Sequence, residues 1–274
     1  MLWLWYRGTS FRGWQRQVEG PTVQEVVEAA LQSRGIAGGL AAAGRTDRGV
    51  HARQQVASLR VPPGTELAAL AEGLGGRDWG CVAAAPASPG FHAQWSASSK
   101  EYRYRFCDGP APASWAGSAW ELPTEPRFEG RPVEADALGQ VLAEATGTRD
   151  FSAFHASSSV RRPRTLSRVE LCGGADGVWE VRLSGDGFGR YQVRALVGGA
   201  ALVAAGCLPR PTWREALERA TRFEGLLAPP QGLILWSVDF GAEGPFAGQR
   251  GERCPPEPPF IAPEPRALAG ASGC

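Results

Sequence analysis

The amino-acid sequence predicts an α+β fold made of two similar α/β halves, with mainly antiparallel sheets meeting at a central cleft. Three observations point there. Hydrophobic runs in residues 1–108 follow the order β-α-β-β-α-β, residues 132–240 repeat that plan, and a Pro- and Gly-containing connector at 109–131 lies between them. The order is that of a ferredoxin-like (RRM-like) unit with both helices on one face of the sheet.

Each element has its own signal. Residues 2–7 read as a first strand with alternating aromatics. Thr22-Val23-Gln24-Glu25 is a capping box, apolar positions follow at helical spacing (Val23, Val26, Val27, Ala30, Leu31), and Gly35 stands where a C-cap belongs, which predicts a helix over 22–34. Leu40-Ala41-Ala42-Ala43 ends a buried strand, and Arg53 to Arg60 reads as the next. A short helix near 65–73 and strands near 80–85 and 98–107 complete the first half. In the second, a helix fits 133–145, strands fit 164–172 and 178–185, a long apolar helix fits 190–206 and another 212–224. Leu233 to Phe240 is the last strand. Past it, 13 of the final 34 residues are Pro or Gly, so 241–274 is expected to be a flexible tail without a core.

Composition narrows the function. With 274 residues and 43% hydrophobic content the chain can bury one large core or two moderate ones. No apolar run is long enough to cross a bilayer, and Met1-Leu2-Trp3-Leu4-Trp5 leads directly into Arg7 without a signal-peptide pattern, so a cytoplasmic protein without membrane contact is expected. The six cysteines include no C-x-x-C pair and only three histidines exist, which argues against a zinc site or a disulfide framework. The net charge of +1 conceals an uneven distribution: residues 1–60 carry eight arginines against four acids, and residues 161–214 carry nine against four. Guanidinium groups bind phosphate bidentately and stack on bases, so these stretches suit a polyanion cleft.

The most informative segment is Gly44-Arg45-Thr46-Asp47-Arg48-Gly49-Val50-His51, which sets one carboxylate between two arginines on a loop held at both ends by sheet. Guanidinium groups within a few ångström favour the ionised form of a carboxylate, which suits attack rather than proton donation. The same pattern also fits a plain Asp turn with solvated arginines. In Lys100-Glu101-Tyr102-Arg103-Tyr104-Arg105, period-two alternation puts Tyr102 and Tyr104 on one face and Arg103 and Arg105 on the other. A tyrosine there can stack on a base and move a proton, or pack in the sheet. Arg194, inside the apolar helix, needs an acidic partner, for which Asp47 is available, or must reach solvent along its stem. Trp14 is read as an anchor for the first helix, and His51 and His92 as hydrogen-bonding residues. No phosphate-binding G-x-x-x-x-G-K-[ST] loop, H-E-x-x-H or G-x-S-x-G motif occurs.

Taken together, Y-R-G-T-S-F-R-G-W-Q-R-Q at 6–17, T-V-Q-E at 22–25, G-R-T-D-R-G-V-H-A at 44–52, K-E-Y-R-Y at 100–104, V-R-A-L-V-G at 193–198 and A-P-P-Q-G-L at 228–233 resemble the TruA-type tRNA pseudouridine synthases, in order and at similar intervals over roughly 3–240. The resemblance implies isomerisation of uridine to pseudouridine in the anticodon stem-loop of tRNA at positions 38, 39 and 40, by a homodimer that needs no cofactor and no metal. It implies Asp47 as the catalytic aspartate, Tyr102 as the active-site tyrosine and Arg194 as the arginine pairing with the aspartate. Arg45 falls on the arginine that helps turn out the base, and Leu233 on an apolar pocket residue. Arg48 stands where the family usually has alanine, and could add a phosphate contact. Gly187-Phe188-Gly189-Arg190-Tyr191-Gln192 also departs from relatives that are more apolar there. Two other readings of the residues remain: a non-catalytic module binding structured RNA, and a magnesium-dependent enzyme with an aspartyl nucleophile, which needs a second acid near Asp47.

Overall fold

The computed structural model describes residues 1–174, 176–221 and 223–241. Apart from Gly241, the tail expected at 241–274, with Cys254 and Cys274, lies outside the described residues. The described chain is an α+β protein that divides into two compact units, one of residues 1–100 and 234–241, the other of residues 101–233.

In the first unit β1 (Leu2–Tyr6) runs antiparallel to both β3 (His51–Ser58) and β4 (Trp79–Ala84), with Leu2 opposite Ala57 on one side and Ala84 on the other. Leu2, Trp3 and Leu4 are all buried rather than alternating, so both faces of this central strand are covered. Ala41–Ala42 forms a short β2 on β3, and β10 (Leu233–Asp239) pairs with β3 in parallel, Ile234 opposite His51. The last strand, grouped by sequence with the second half, thus adds its pairing to the first unit. The capping box is formed as the sequence predicts: Glu25 N–H donates to Thr22 Oγ1, and the Thr22 N–H donates to the Glu25 carboxylate at 2.9 Å. It starts α1 (Val23–Gln32), whose Val23, Val27 and Leu31 are buried, and Gly35 follows in the left-handed conformation at φ 74°. The second helix, α2, spans Leu67–Gly73.

The second unit is built on β5 (Ser99–Cys107), β9 (Val178–Gly185), β8 (Pro163–Gly173) and β7 (Gly147–Asp150), adjacent in that order, with β8 antiparallel to both β9 and β7. The sequence does not announce β7, because Gly-Thr-Arg-Asp is a polar edge strand without hydrophobic alternation. The connector at 109–131 is partly buried. It contributes β6 (Trp120–Glu121), parallel to β5, and buries Trp115, Trp120 and Phe128. Helices α3 (Ala135–Ala143), α4 (Gln192–Ala204) and α5 (Arg210–Arg219) complete the unit.

One face of β5 and β9 carries a buried charge cluster. Glu180, fully buried, accepts from Arg103 at 3.1 Å, Arg105 at 2.9 Å and Arg182 at 3.0 Å, and Arg103 also reaches Glu101 at 2.7 Å. The Trp115 ring covers the Arg105 guanidinium at 4.6 Å. Removing the shared anion takes one carboxylate from three buried guanidinium groups, of which Arg103 keeps Glu101. Glu180→Ala is therefore expected to lose about 3–5 kcal/mol of stability, read as a lowered urea midpoint. A loss below about 1 kcal/mol, the scale of an exposed pair, would show that these arginines relax to solvent.

Candidate active site

The Asp47 loop joins β2 to β3 and is held by the segment that follows β1. Thr46 is its fixed point: the Trp14 N–H donates to the Thr46 carbonyl at 3.0 Å, and the Thr46 and Tyr6 hydroxyls lie 2.8 Å apart. Gln55, fully buried on β3, donates to the Gly44 carbonyl at 2.6 Å and to the Tyr6 hydroxyl at 3.2 Å. On the far side the Val50 N–H donates to the Asp47 carbonyl at 3.1 Å, closing the turn, and the Gly8 N–H donates to His51 Nδ1 at 3.2 Å. Two glycines allow this approach. Gly13 has φ 97°, and a Cβ there would stand 2.8 Å from the Thr46 carbonyl oxygen, whereas a Cβ on Gly8 would overlap the Val50 carbonyl. Trp14, buried beside the Tyr6 ring, also accepts the Gln24 N–H, so it anchors the start of α1.

The clamp buries Thr46, leaves Asp47 half-buried and turns Arg45 and Arg48 outward as exposed side chains. Adjacency in sequence suggests that these arginines embrace the carboxylate, but neither forms an ion pair among the described residues. In a tight turn, successive side chains diverge. Nearby, the Arg53 guanidinium packs over the Trp236 ring at 4.7 Å.

Tyr102, Arg194 and Leu233 belong to the second unit. Tyr102, on β5, is buried and meets the edge of the Phe188 ring at a centroid distance of 5.0 Å. Tyr104, two residues on, packs edge-on against Trp120 and donates to the Pro229 carbonyl at 2.8 Å. Burial holds its phenol well above the ordinary value, with the nearby Arg194 charge only partly opposing this, so Tyr104 stays protonated. Arg194 lies in the first turn of α4 and is buried rather than extended to solvent. Its Nε donates to the Ala228 carbonyl at 2.7 Å, while the Ala228 N–H donates to the Arg194 carbonyl at 3.1 Å, a reciprocal pair that straps 228 to the helix. The helix starts after Tyr191, a non-glycine residue at φ 71° whose ring lies 5.7 Å from the Arg194 guanidinium. Leu233 is buried at the start of β10. Reading by motif does not find Phe188 or Tyr191. The signal available was the Gly187-Phe188-Gly189 run, whose glycines mark a close-packed turn beside the apolar helix.

Among the described residues no group of three or more His, Cys, Asp or Glu could hold a metal ion, and no helix is long and apolar enough to cross a membrane.

The buried phenols have a consequence in alkali. Burial raises the Tyr6 value above the ordinary one of about 10, against the lowering by its Thr46 and Gln55 hydrogen bonds. The folded state then keeps a phenol proton that the unfolded chain releases, so the stability due to Tyr6 is complete below about pH 10 and is lost as pH rises further. Tyr6→Phe should lose about 1 kcal/mol near neutrality with its hydrogen bonds, and show a shallower decline between about pH 9 and 11 in urea unfolding than the parent. An equally steep decline would remove Tyr6 as its source.

Residues 142–241 match the tRNA pseudouridine synthase family. The tRNA pseudouridine synthase A of Beijerinckia indica is 36% identical over 259 residues, which cover 89% of this chain and 96% of that protein. The protein of the same name from Frankia casuarinae is 36% identical over 269 residues, 92% of this chain and 94% of its own, and that from Rhodospirillum rubrum 36% over 247 residues, 87% and 86%. Identity at this level along almost the whole length places the chain in the tRNA pseudouridine synthase A family of isomerases.

Proposed function

We propose that this protein isomerises uridine to pseudouridine in the anticodon stem-loop of tRNA, at positions 38, 39 and 40, with Asp47 as nucleophile. One observation carries the assignment: a half-buried carboxylate on a loop clamped through Thr46, Tyr6, Trp14 and Gln55, with two exposed arginines beside it. A loop that is a mere turn does not need its backbone fixed from three sides, whereas a nucleophile gains from being held near its line of attack.

The reaction breaks the C1′–N1 bond, rotates the uracil and joins C5 to C1′. N1 gains a proton, C5 loses one, and no electrons are exchanged with another molecule. A nucleophile and a proton carrier suffice. Asp47 serves attack at C1′, addition at C6 and assistance at C2′ alike. Tyr102 stacks on the base and relays a proton, giving up its phenol proton, which balances the one N1 gains, as it takes the one from C5, with Phe188 fixing its ring. Arg194 is the counter-charge of the carboxylate, and Leu233 an apolar wall of the base pocket. Turning a base out of its stack costs a few kcal/mol and least near a loop, which favours the anticodon arm. Arg45, exposed on the same loop, enters the space the base leaves, and Arg48 takes a phosphate. The same reading carries a cytoplasmic homodimer that works without a cofactor.

Asp47→Ala should abolish tritium release from tRNA labelled at uridine C5 while binding tRNA within about threefold of the parent, since the exposed arginines remain. Equal release by both proteins would end the nucleophile assignment. Mapping pseudouridine in tRNA from cells lacking the protein should show unmodified uridine at 38–40, and modification retained there would refute the proposed sites.

A further inference from the structure

Among the described residues three that are not glycine have a left-handed backbone: Glu129, Tyr191 and Ala220, at φ 53°, 71° and 50°. Glu129 follows the helical turn Pro126–Phe128 and Ala220 follows α5, and at the end of a helix this conformation is the usual way out. Tyr191 does the reverse and begins a helix. The other four α-helices are entered from extended residues, Thr22, Glu66, Glu134 and Pro209, as helices ordinarily are. A bulky residue at φ 71° is strained, and such strain persists only where the surroundings over-determine it.

The neighbours of Tyr191 do so. The Gly189 N–H donates to Gln192 Oε1 at 2.7 Å, and the Gln192 N–H donates to the Gly189 carbonyl at 3.1 Å, which closes the turn from both ends. Gln192 is fully buried, and a Cβ on Gly189 would stand 2.7 Å from the His155 ring. The Arg190 carbonyl accepts the Ala156 N–H at 3.0 Å, while the Arg190 N–H donates to Ser159 Oγ at 2.8 Å.

The strain secures the place of a ring. Tyr191 gives α4 no side-chain cap; its ring lies against the guanidinium groups of Arg190 at 4.6 Å and of Arg194, three residues on, at 5.7 Å. Arg194 is thus held at two points, its Nε by the Ala228 carbonyl at 2.7 Å and its guanidinium by the aromatic face. Neither contact neutralises the charge, which is kept for a carboxylate. A residue that only closed the turn would need no ring, since glycine reaches the same φ without strain.

We infer that Tyr191 is a positioning residue for the isomerisation: its left-handed backbone and its ring set the direction of the Arg194 guanidinium toward the attacking carboxylate. The inference rests on the reading of Arg194 as the counter-charge of Asp47.

The test measures single-turnover tritium release from tRNA labelled at uridine C5, tRNA affinity and urea midpoint, all on the full chain. Tyr191→Gly keeps the backbone and removes the ring, and should slow release about tenfold or more. It should bind tRNA within about twofold of the parent, because every charge remains. Tyr191→Leu, which fills the space without an aromatic face, should slow release alike, and Tyr191→Phe should keep the parent rate. Glu129→Gly, the same backbone relief at a helix end, should change neither rate nor affinity. Rates are compared between variants whose urea midpoints show them folded, Tyr191→Leu serving where Tyr191→Gly does not fold. A parent rate in the variants without the ring overturns the inference, as does an equal loss in Tyr191→Phe or a loss of affinity that matches the loss of rate. Arg194→Gln separates the two readings. If it releases tritium at the parent rate, the counter-charge reading falls and the role of Tyr191 with it; a slow Arg194→Gln beside a normal Tyr191→Gly ends the positioning role alone.

Discussion

The Asp47 loop depends on one small contact set, the grip on Thr46. The side chain of Thr46 meets the Tyr6 hydroxyl, its carbonyl takes the Trp14 N–H, and the backbone at Thr46 and at Val50 lies against Gly13 and Gly8 at distances only glycine permits. Each of these hydrogen bonds contributes about 1 kcal/mol. Their effect is larger in geometry than in energy, because a two-sided grip on the residue before the aspartate leaves Asp47 few conformations to choose from. The first strand, the turn after it and β3 are all needed to make that grip, so the core of the first unit and the placement of the carboxylate are one construction.

The second unit solves the opposite problem, how to carry many arginines without losing its core. Charge is sorted by face. Arg103, Arg105 and Arg182 converge on Glu180 on one face of the sheet, while Tyr102 and Tyr104 on the other face meet Phe188 and Trp120. A buried carboxylate shared by three guanidinium groups is weak as a source of stability but exacting about register. A slip of one residue in β5 would send the arginines to the apolar face and the tyrosines to Glu180. The alternation Tyr-Arg-Tyr-Arg thus fixes which side of the strand faces what.

Local rules were legible where they close within a few residues. Thr22 and Glu25 announce the start of α1, Gly35 its end, and the alternation at 102–105 the two faces of β5, because capping and pleating are short-range physics. The ordered motifs carried the family and, with it, the candidate residues Asp47, Tyr102, Arg194, Arg45 and Leu233. The elements of the fold that escaped had no local signal. Gly147–Asp150 becomes a strand only because β8 offers it an edge, and the connector becomes part of the core because Trp115 and Trp120 find Arg105 and Tyr104.

The arginines divide the two kinds of knowledge most clearly. From the sequence alone came their excess in two stretches, the placing of Arg45 and Arg48 beside Asp47, and the need of Arg194 for compensation in an apolar helix. Only the tertiary structure decided that Arg45 and Arg48 face solvent, that Arg194 is buried against the Ala228 carbonyl, and that Arg164, at the start of β8, is buried against the Val160 carbonyl while Arg162 stays outside. Charge is a property of the residue, but burial and partnership are set by the segments packed around it, and those come from far along the chain.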